Sequence, residues 1–216
     1  MTRLPAPRPR ATPASGSGKV LRLPLPDSDA ALVAALRADP IAAPGLLFDR
    51  YGEDVERILY RILGADTELY DVLHEVFLAA QTSLARLREE SALRSWLTGI
   101  AVHKAKKLIR RRQRWRWIQS VAPFDLPDVM ASTPAPEVSE ALTHAYRVLD
   151  ELPADERIAF ALRHIDGMDL AGIAATTQVS LATTKRRIAR AQLRFVEAAS
   201  QSDVLREWLE RGTLSR

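Results

Sequence analysis

A Pro-rich stretch at residues 119–138 divides the chain into two blocks, and both blocks have the apolar spacing of α-helices. The stretch contains four prolines and no helical period, which is typical of a linker. On either side of it, apolar residues recur every three or four positions. Neither block shows the alternation of apolar and polar residues that a half-buried strand requires. The sequence therefore predicts an all-α fold of two small helical domains joined by a linker.

The same patterns predict the limits of the domains. We expect a disordered basic tail over residues 1–26, a helical domain over 27–118, the linker over 119–138, a second helical domain over 139–199 and a C-terminal extension over 200–216. The tail is rich in Pro, Ala, Ser, Gly and Arg, a composition that buries too little apolar surface to become ordered. Its role stays open between an inert leader and a weak DNA-binding arm.

Charge is distributed unevenly along the first domain. Residues 27–90 carry thirteen acids and six bases, whereas residues 91–120 carry nine bases and no acid. Two such blocks predict two surfaces with different partners, and nucleic acid is the default partner of a basic surface. In the basic segment, residues 103–116, the cations could follow duplex phosphates. The nearby Trp115 and Trp117 either stack on exposed bases or pack at the helix end.

The second domain has the pattern of a helix-turn-helix. Asp169 and Ser180 are suited to cap two successive helices, and residues 177–179 fit the turn between them. Such a motif places the first turns of its last helix in the major groove, where Arg and Lys reach guanine edges. The residues predicted to face DNA are Ala182, Thr183, Lys185, Arg186, Arg187 and Arg190. The plainer alternative is a solvated basic face on a surface helix.

Several classes of function have no support in the sequence. The chain contains no cysteine, which excludes disulfides and thiolate metal sites. The four histidines lack metal-ligand spacing, and there is no phosphate-binding Gly-rich loop or nucleophile motif. No apolar run approaches the roughly 18 residues of a membrane helix, and the basic N-terminus lacks the apolar core of a signal peptide. We expect a non-enzymatic, cytoplasmic protein without membrane insertion, metal or cofactor.

Short motifs occur in a fixed order on the two sides of the linker. Those of the first domain are Asp71-Val72-Leu73-His74-Glu75-Val76-Phe77, Leu93-Arg94-Ser95-Trp96-Leu97 and Ile100-Ala101. Those of the second are Leu152-Pro153 and, after the capping Ser180, Thr183-Thr184-Lys185-Arg186-Arg187. In this order the chain resembles bacterial RNA polymerase sigma factors of the extracytoplasmic-function (ECF) type, in the sigma-70 superfamily. The resemblance spans about residues 29–116 and 137–195.

The resemblance implies a subunit that binds core RNA polymerase and directs transcription initiation by reading two promoter elements, about two helical turns apart. An acidic face would dock on a coiled coil of the polymerase β′ subunit, with further contacts to the β subunit. The polymerase-binding residues would be Glu68, Asp71, His74 and Glu75. The −10 element would be read by Trp96, His103, Lys104, Lys107, Arg110 and Arg111, and the −35 element by the last helix of the helix-turn-helix. An anti-sigma factor is an optional further partner.

The sequence departs from the family pattern at positions that bear on promoter choice. His103 and Lys107 stand where Asn and Asp are usual, and residues 88–90 are Arg-Glu-Glu where Gly is common. Ala182 and Arg186 stand where Gly and Ser are common. The resemblance therefore leaves the −10 contacts and the −35 preference open.

Two other functions remain as alternatives. A stand-alone helix-turn-helix regulator would bind DNA without polymerase, as a dimer on a palindromic site. The linker and the second basic segment argue against that function. An enzyme or RNA-binding protein with an appended DNA-binding domain is the other alternative. The missing catalytic motifs argue against an enzyme, and the sequence excludes RNA binding less firmly.

Overall fold

A computed structural model describes residues 26–39, 43–87, 89–119 and 136–210. Within those ranges all the regular structure is helical, which confirms the predicted all-α fold. The helices of the first domain are α1 (Asp29–Ala38), α2 (Ala43–Leu63), α3 (Leu69–Ser83) and α4 (Leu93–Gln119). Those of the second are α5 (Pro136–Glu151), α6 (Ala154–Phe160), α7 (Leu170–Thr177), α8 (Leu181–Ala199) and α9 (Asp203–Glu210). The predicted tail and linker lie almost wholly outside the described residues.

The first domain is a bundle in which α2, α3 and α4 pack on one another and α1 packs on α2. The apolar residues spaced at three and four positions form the buried stripe of each helix, as an amphipathic pattern requires. On α3 the buried residues are Leu69, Val72, Leu73, Val76, Phe77 and Ala80. The face of α3 opposite this stripe therefore remains at the surface, and its acidic residues lie there.

The second domain contains the predicted helix-turn-helix. The side chain of Asp169 caps α7 by accepting the N–H of Gly172 at 2.6 Å. Gln178 ends that helix in the left-handed conformation, with φ at 54°. Ser180 caps α8 by accepting the N–H of Thr183 at 3.2 Å. Caps of this kind satisfy backbone donors that a helix start leaves without partners, so they fix where α7 and α8 begin.

The last helix, α9, belongs to the packed core of the second domain. It packs on α5, and its Leu205 is buried in one cluster with Leu149 of α5 and Phe195 of α8. The sequence places a domain limit at residue 199 and a separate extension beyond it. The spacing within one short helix shows an apolar face, but only the tertiary structure shows that α5 supplies its partner.

The two domains pack directly against each other. One hydrophobic cluster contains Leu59 and Leu97 of the first domain together with Ile158, Leu162 and Ile173 of the second. Helix α4 packs against both α6 and α7. The sequence predicts two domains joined by a linker. The spacing of its apolar residues does not predict that the two domains share a hydrophobic core.

The polar part of this interface caps the C-terminus of α2. Arg157 of α6 donates from Nε to the carbonyl of Ile62 at 2.9 Å and from Nη2 to that of Leu63 at 3.1 Å. Tyr146 of α5 donates its hydroxyl to the carbonyl of Tyr60 at 3.2 Å, and burial raises its pKa to about 12. The last carbonyls of a helix have no partner within it, and the negative end of its dipole favours a cation. The second domain supplies both the donors and the positive charge.

We predict that an added methyl group at Gly64 disrupts this interface. Gly64 has φ at +79°, and a Cβ there would lie 2.8 Å from the Tyr146 ring. Gly167 has a similar φ of +82° with open space around it, so Gly167→Ala is the matched control. Gly167→Ala should lower the free energy of unfolding by about 1–2 kcal/mol through backbone strain alone. Gly64→Ala should cost about 1–3 kcal/mol more, because it also overpacks the contact.

Urea unfolding of both variants beside the unsubstituted chain gives the comparison. Equal losses of unfolding free energy for Gly64→Ala and Gly167→Ala would contradict the close approach of Tyr146 to the end of α2.

Candidate polymerase and nucleic-acid interfaces

The predicted polymerase-binding residues lie on one face of α3. Asp71, His74 and Glu75 are exposed, and Glu68 at the start of the helix is half-buried. This face lies opposite the buried stripe, so its side chains are available without any loss of packing. It is an acidic surface patch on a rigid helix.

The basic helix α4 lies beside this acidic face and pairs with it. Lys104 Nζ lies 3.0 Å from Glu75 Oε2, and Arg111 forms an ion pair with Glu68. The hydrogen bond from Lys104 lowers the pKa of Glu75, outweighing the effect of burial. Two segments that the sequence assigns to different partners therefore partly neutralise each other. The pairing residues are far apart in sequence, so no local pattern predicts this.

Arg112 is the most strongly paired cation of the basic segment. Its Nη2 donates to Asp66 Oδ1 at 2.7 Å and to Glu68 Oε1 at 2.8 Å. The side chain of Asp66 is only 2% exposed. Burial opposes the charge of Arg112, but its hydrogen bonds to both carboxylates outweigh this and raise its pKa above the ordinary value. For Glu68 too, hydrogen bonds from Arg112 and Arg111 outweigh burial and lower the pKa. Arg112 thus holds the loop before α3 against α4.

We predict that Arg112→Met destabilises the chain by about 3 kcal/mol, because it leaves the buried Asp66 carboxylate without its ionic partner. Arg57→Met is the control, since Arg57 is 51% exposed and pairs with Asp54 one helical turn away. Exposed pairs of that kind contribute about 0–1 kcal/mol. Urea unfolding at neutral pH measures both losses. A loss for Arg112→Met no larger than for Arg57→Met would contradict a structural role for this arginine.

Part of the basic segment remains at the surface. Lys107, Arg110 and Arg111 are exposed on α4, and they are among the predicted −10 residues. Trp115 is 57% exposed, so the structure does not pack its ring at the helix end. The side chain of Trp117 lies outside the described residues. An exposed helix of cations with an accessible aromatic ring fits a polyanionic partner.

A groove with a volume of about 990 Å³ lies between the two domains. Three of the predicted −10 residues, Trp96, His103 and Lys104, line its α4 wall. The facing wall includes Thr176 and Gln178 of the helix-turn-helix. The structure therefore brings these three residues together, whereas Lys107, Arg110 and Arg111 lie outside the groove lining.

On α8 the predicted −35 residues divide into an exposed set and a half-buried set. The exposed set is Ala182, Lys185, Arg186 and Arg190. Thr183 is half-buried, with its Oγ1 2.9 Å from Ser180 Oγ. Arg187 is also half-buried and lies beside the Asp155 carboxylate of α6. The exposed set lies on the first three turns of the helix, opposite the residues that pack inward.

Asp155 is a site residue that the sequence analysis missed. Its carboxylate lies 2.6 Å from Lys106 Nζ and 2.8 Å from Arg110 Nη2, both on α4. It also lies 3.5 Å from Arg187 Nη2 on α8. Burial alone would raise the pKa of Asp155. The three cations, of which Lys106 has the largest effect, outweigh burial and hold the pKa below its ordinary value. An acid after Leu-Pro in the first turn of a helix is an ordinary N-terminal feature, so nothing local indicates its contacts with two distant helices.

The described ranges contain no arrangement typical of a metal site or of a membrane span. No group of three or more His, Asp or Glu side chains there is arranged to hold a metal ion. Among the helices of that part of the chain, none is long and apolar enough to cross a membrane.

Comparison with known proteins gives matches in both domains. The family model for sigma-70 region 2 matches residues 47–115, and that for sigma-70 region 4 matches residues 144–194. The ECF RNA polymerase sigma-E factor of Escherichia coli K12 is 28% identical over 174 residues, covering 76% of this chain and 91% of the relative. The RNA polymerase sigma-H factor of Pseudomonas aeruginosa PAO1 is 27% identical over 175 residues, covering 77% of this chain and 91% of the relative.

Two solved structures share the fold. CnrH in complex with the cytosolic domain of CnrY has a TM-score of 0.56 and 22% identity, covering 82% of this chain and 100% of CnrH. The sigma factor RpoE in complex with the anti-sigma factor NepR, from Bartonella quintana, has a TM-score of 0.54 and 19% identity. That match covers 70% of this chain and 92% of RpoE.

A basic helix on one domain and a helix-turn-helix on the other define a helical DNA-binding protein with two binding domains. The two family models fall one on each domain and together cover more than half of the chain. The chain therefore belongs to the sigma-70 family of RNA polymerase sigma factors, in its ECF group. As such a factor it binds core RNA polymerase and promoter DNA and directs transcription initiation.

Proposed function

We propose that the two domains divide promoter recognition between them. The acidic face of α3 binds the polymerase β′ subunit, α4 reads the −10 element, and α8 reads the −35 element. The observation that supports this most directly is that each sigma-70 match contains one exposed basic helix. The chain supplies recognition, and the polymerase supplies catalysis, so we assign no catalytic residue, metal or cofactor to it. It acts in the bacterial cytoplasm, where the polymerase is.

We assign the −10 contacts residue by residue from the geometry. Trp96 and His103 lie on the wall of the groove that α4 forms, and there an unpaired base would find an aromatic ring to stack on. Such stacking contributes about 1–3 kcal/mol per base, which offsets part of the cost of unpairing it. The exposed cations at 107, 110 and 111 would hold the adjacent phosphates.

The domain limits follow from the same geometry. We propose a polymerase-binding and −10 domain that extends from about residue 27 to the end of α4 at Gln119, a linker over 120–135, and a −35 domain that begins with α5 at Pro136 and includes α9. Residues 1–26 are proposed as a tail outside both domains. Because RpoE and CnrH were solved with protein partners, we also propose an anti-sigma factor as a further partner of this chain.

Run-off transcription tests the proposed function. The purified chain is mixed with core polymerase and a library of promoter templates. We expect promoter-specific transcripts that need both components. Promoter binding by the chain alone, with no transcript after core polymerase is added, would instead support a stand-alone regulator.

We predict that Asp71→Arg weakens binding to core polymerase at least tenfold, about 1.4 kcal/mol, by reversing a charge at the centre of the acidic face. Asp71 is exposed and lies outside the buried stripe, so the fold should be unchanged. Asp203→Arg is the control, because it makes the same charge change on α9, at a side chain that is 88% exposed. Competition pull-downs with core polymerase measure both affinities. Unchanged affinity for Asp71→Arg would remove α3 from the polymerase interface.

We predict that Arg186→Ala costs about 1–3 kcal/mol in −35 binding and relaxes the preference at one base pair, as the loss of a guanine contact should. Arg186 is exposed on the second turn of α8. The measurement is the affinity for promoter duplexes with each −35 position changed in turn. A uniform loss across all duplexes would make Arg186 a phosphate contact. No loss would mean that α8 presents another face to DNA.

A further inference from the structure

We propose that the groove between the two domains binds a nucleoside polyphosphate, with its base against Trp96 and its phosphates at Arg86 and His103. The site depends on how the two domains pack and not on the proposed reading of promoter DNA. Trp96 and His103 are also proposed −10 residues, so a bound nucleotide would exclude an unpaired base from them.

The groove has the size and the location of a small-molecule site. Its volume of about 990 Å³ is at the upper end of the roughly 300–1,000 Å³ that ligand pockets have. Such pockets lie preferentially where two domains meet. Here α4 of the first domain forms one wall, and the end of α7 in the second domain forms part of the facing wall. One ligand of moderate size can therefore touch both domains.

Part of the groove lining is aromatic and apolar. Trp96 is half-buried, so it packs on the hydrophobic core while part of its surface lines the groove. Ile100 of α4 and Ile158 of α6 belong to the same lining. Aromatic side chains bind nucleobases by stacking, because every base has a π face. This part of the lining is suited to a planar heterocycle.

Another part of the lining carries positive charge. Arg86, in the 3-10 turn after α3, and His103 on α4 are both exposed. Within the described residues neither forms an ion pair, whereas Lys104 and Lys106 of the same lining both do. A guanidinium binds phosphate oxygens through two parallel N–H donors, and an imidazole can donate a ring N–H. An anionic group is the partner that suits these two side chains.

The carboxylate of Asp155 in this lining does not prevent an anion from binding. It lies 2.6 Å from Lys106 Nζ, 2.8 Å from Arg110 Nη2 and 3.5 Å from Arg187 Nη2. Its charge is therefore compensated by cations of α4 and α8. Among the described lining residues, three Lys and Arg side chains stand against this one carboxylate, so the groove favours an anion.

The separation of the aromatic and cationic parts selects the kind of ligand. Trp96 and His103 are seven residues apart on α4, which is about 10 Å along a helix that rises 1.5 Å per residue. One ligand that contacts both must carry a planar ring and an anionic group separated on that scale. A free phosphate ion or a free base has only one of these groups. A nucleoside with a chain of two or three phosphates has both.

Calorimetric titration of the full chain tests the class of ligand. The probes are GTP, ATP, guanosine and inorganic triphosphate, at about 0.15 M salt so that general attraction to a basic protein is screened. We expect one nucleotide per chain, bound at least tenfold more tightly than guanosine or triphosphate. Equal affinities for triphosphate and GTP, or no saturable binding of either nucleotide, would overturn the proposal.

Two arginine variants test the phosphate end of the site. Arg86→Ala should weaken GTP binding at least fivefold, because it removes a phosphate partner. Arg114→Ala is the matched control, since it removes the same charge from an exposed side chain of α4 outside the groove lining. We expect its affinity for GTP to stay within twofold of that of the unsubstituted chain. Equal losses for the two variants would mean general attraction to the basic chain and would overturn the site.

Two alanine variants test the wall that the second domain supplies. Ala175 of α7 is exposed and lines the groove, so Ala175→Glu should weaken GTP binding at least fivefold by adding a negative charge there. Ala171→Glu is the control, because it adds the same charge one turn earlier on α7, at an exposed position outside the lining. Full GTP binding by Ala175→Glu, or an equal loss for Ala171→Glu, would contradict a site between the domains.

The nucleotide site and the sigma function fail in different experiments. All the titrations use the chain without polymerase or promoter, so a negative result there leaves promoter-specific transcription intact. Absence of promoter-specific transcripts in the run-off assay would overturn the proposed function and leave nucleotide binding intact.

Discussion

The guanidinium of Arg157 determines how the two halves of this molecule sit together. It is only 3% exposed, and it satisfies two carbonyls at the end of α2 while it also pairs with Asp150 of its own domain. A buried cation without such partners would cost several kcal/mol. Its burial is therefore consistent with one arrangement of the domains and unfavourable in most others. The apolar contacts of Ile158 and Ile173 and the ion pairs of Asp155 form around that arrangement.

The charges of the chain show why a DNA-binding protein can have a net charge of only +4. Acids on α3 and before it pair with Lys104, Arg111 and Arg112, and Asp155 pairs with Lys106 and Arg110. Nonspecific DNA binding depends on free cations that displace counterions from phosphates. Ion pairs within the chain lower the number of cations that are free to bind phosphates. They leave a smaller exposed set, which includes Lys107 on α4 and Arg186 on α8, for promoter contacts.

Local features could be predicted from the sequence, and contacts between distant segments could not. The stripe of α3 follows from apolar spacing, and the caps at Asp169 and Ser180 follow from residue type and position. The exposed face containing Asp71 follows from the same helical period. Asp155 and Arg157 were not predicted as interface residues, because their partners lie some 45 and 95 positions away. The local patterns of a single sequence do not indicate how two domains pack against each other across a linker.

The separation of the two domains in the free chain tests this account most directly. Because the chain has no cysteine, Glu53→Cys on α2 and Glu197→Cys on α8 would carry one spin label in each domain, at exposed positions outside the proposed contacts. Double electron–electron resonance on the free chain should give one narrow distribution of short distances between the two spin labels. A broad, long distribution in the free chain would contradict the direct packing of the two domains.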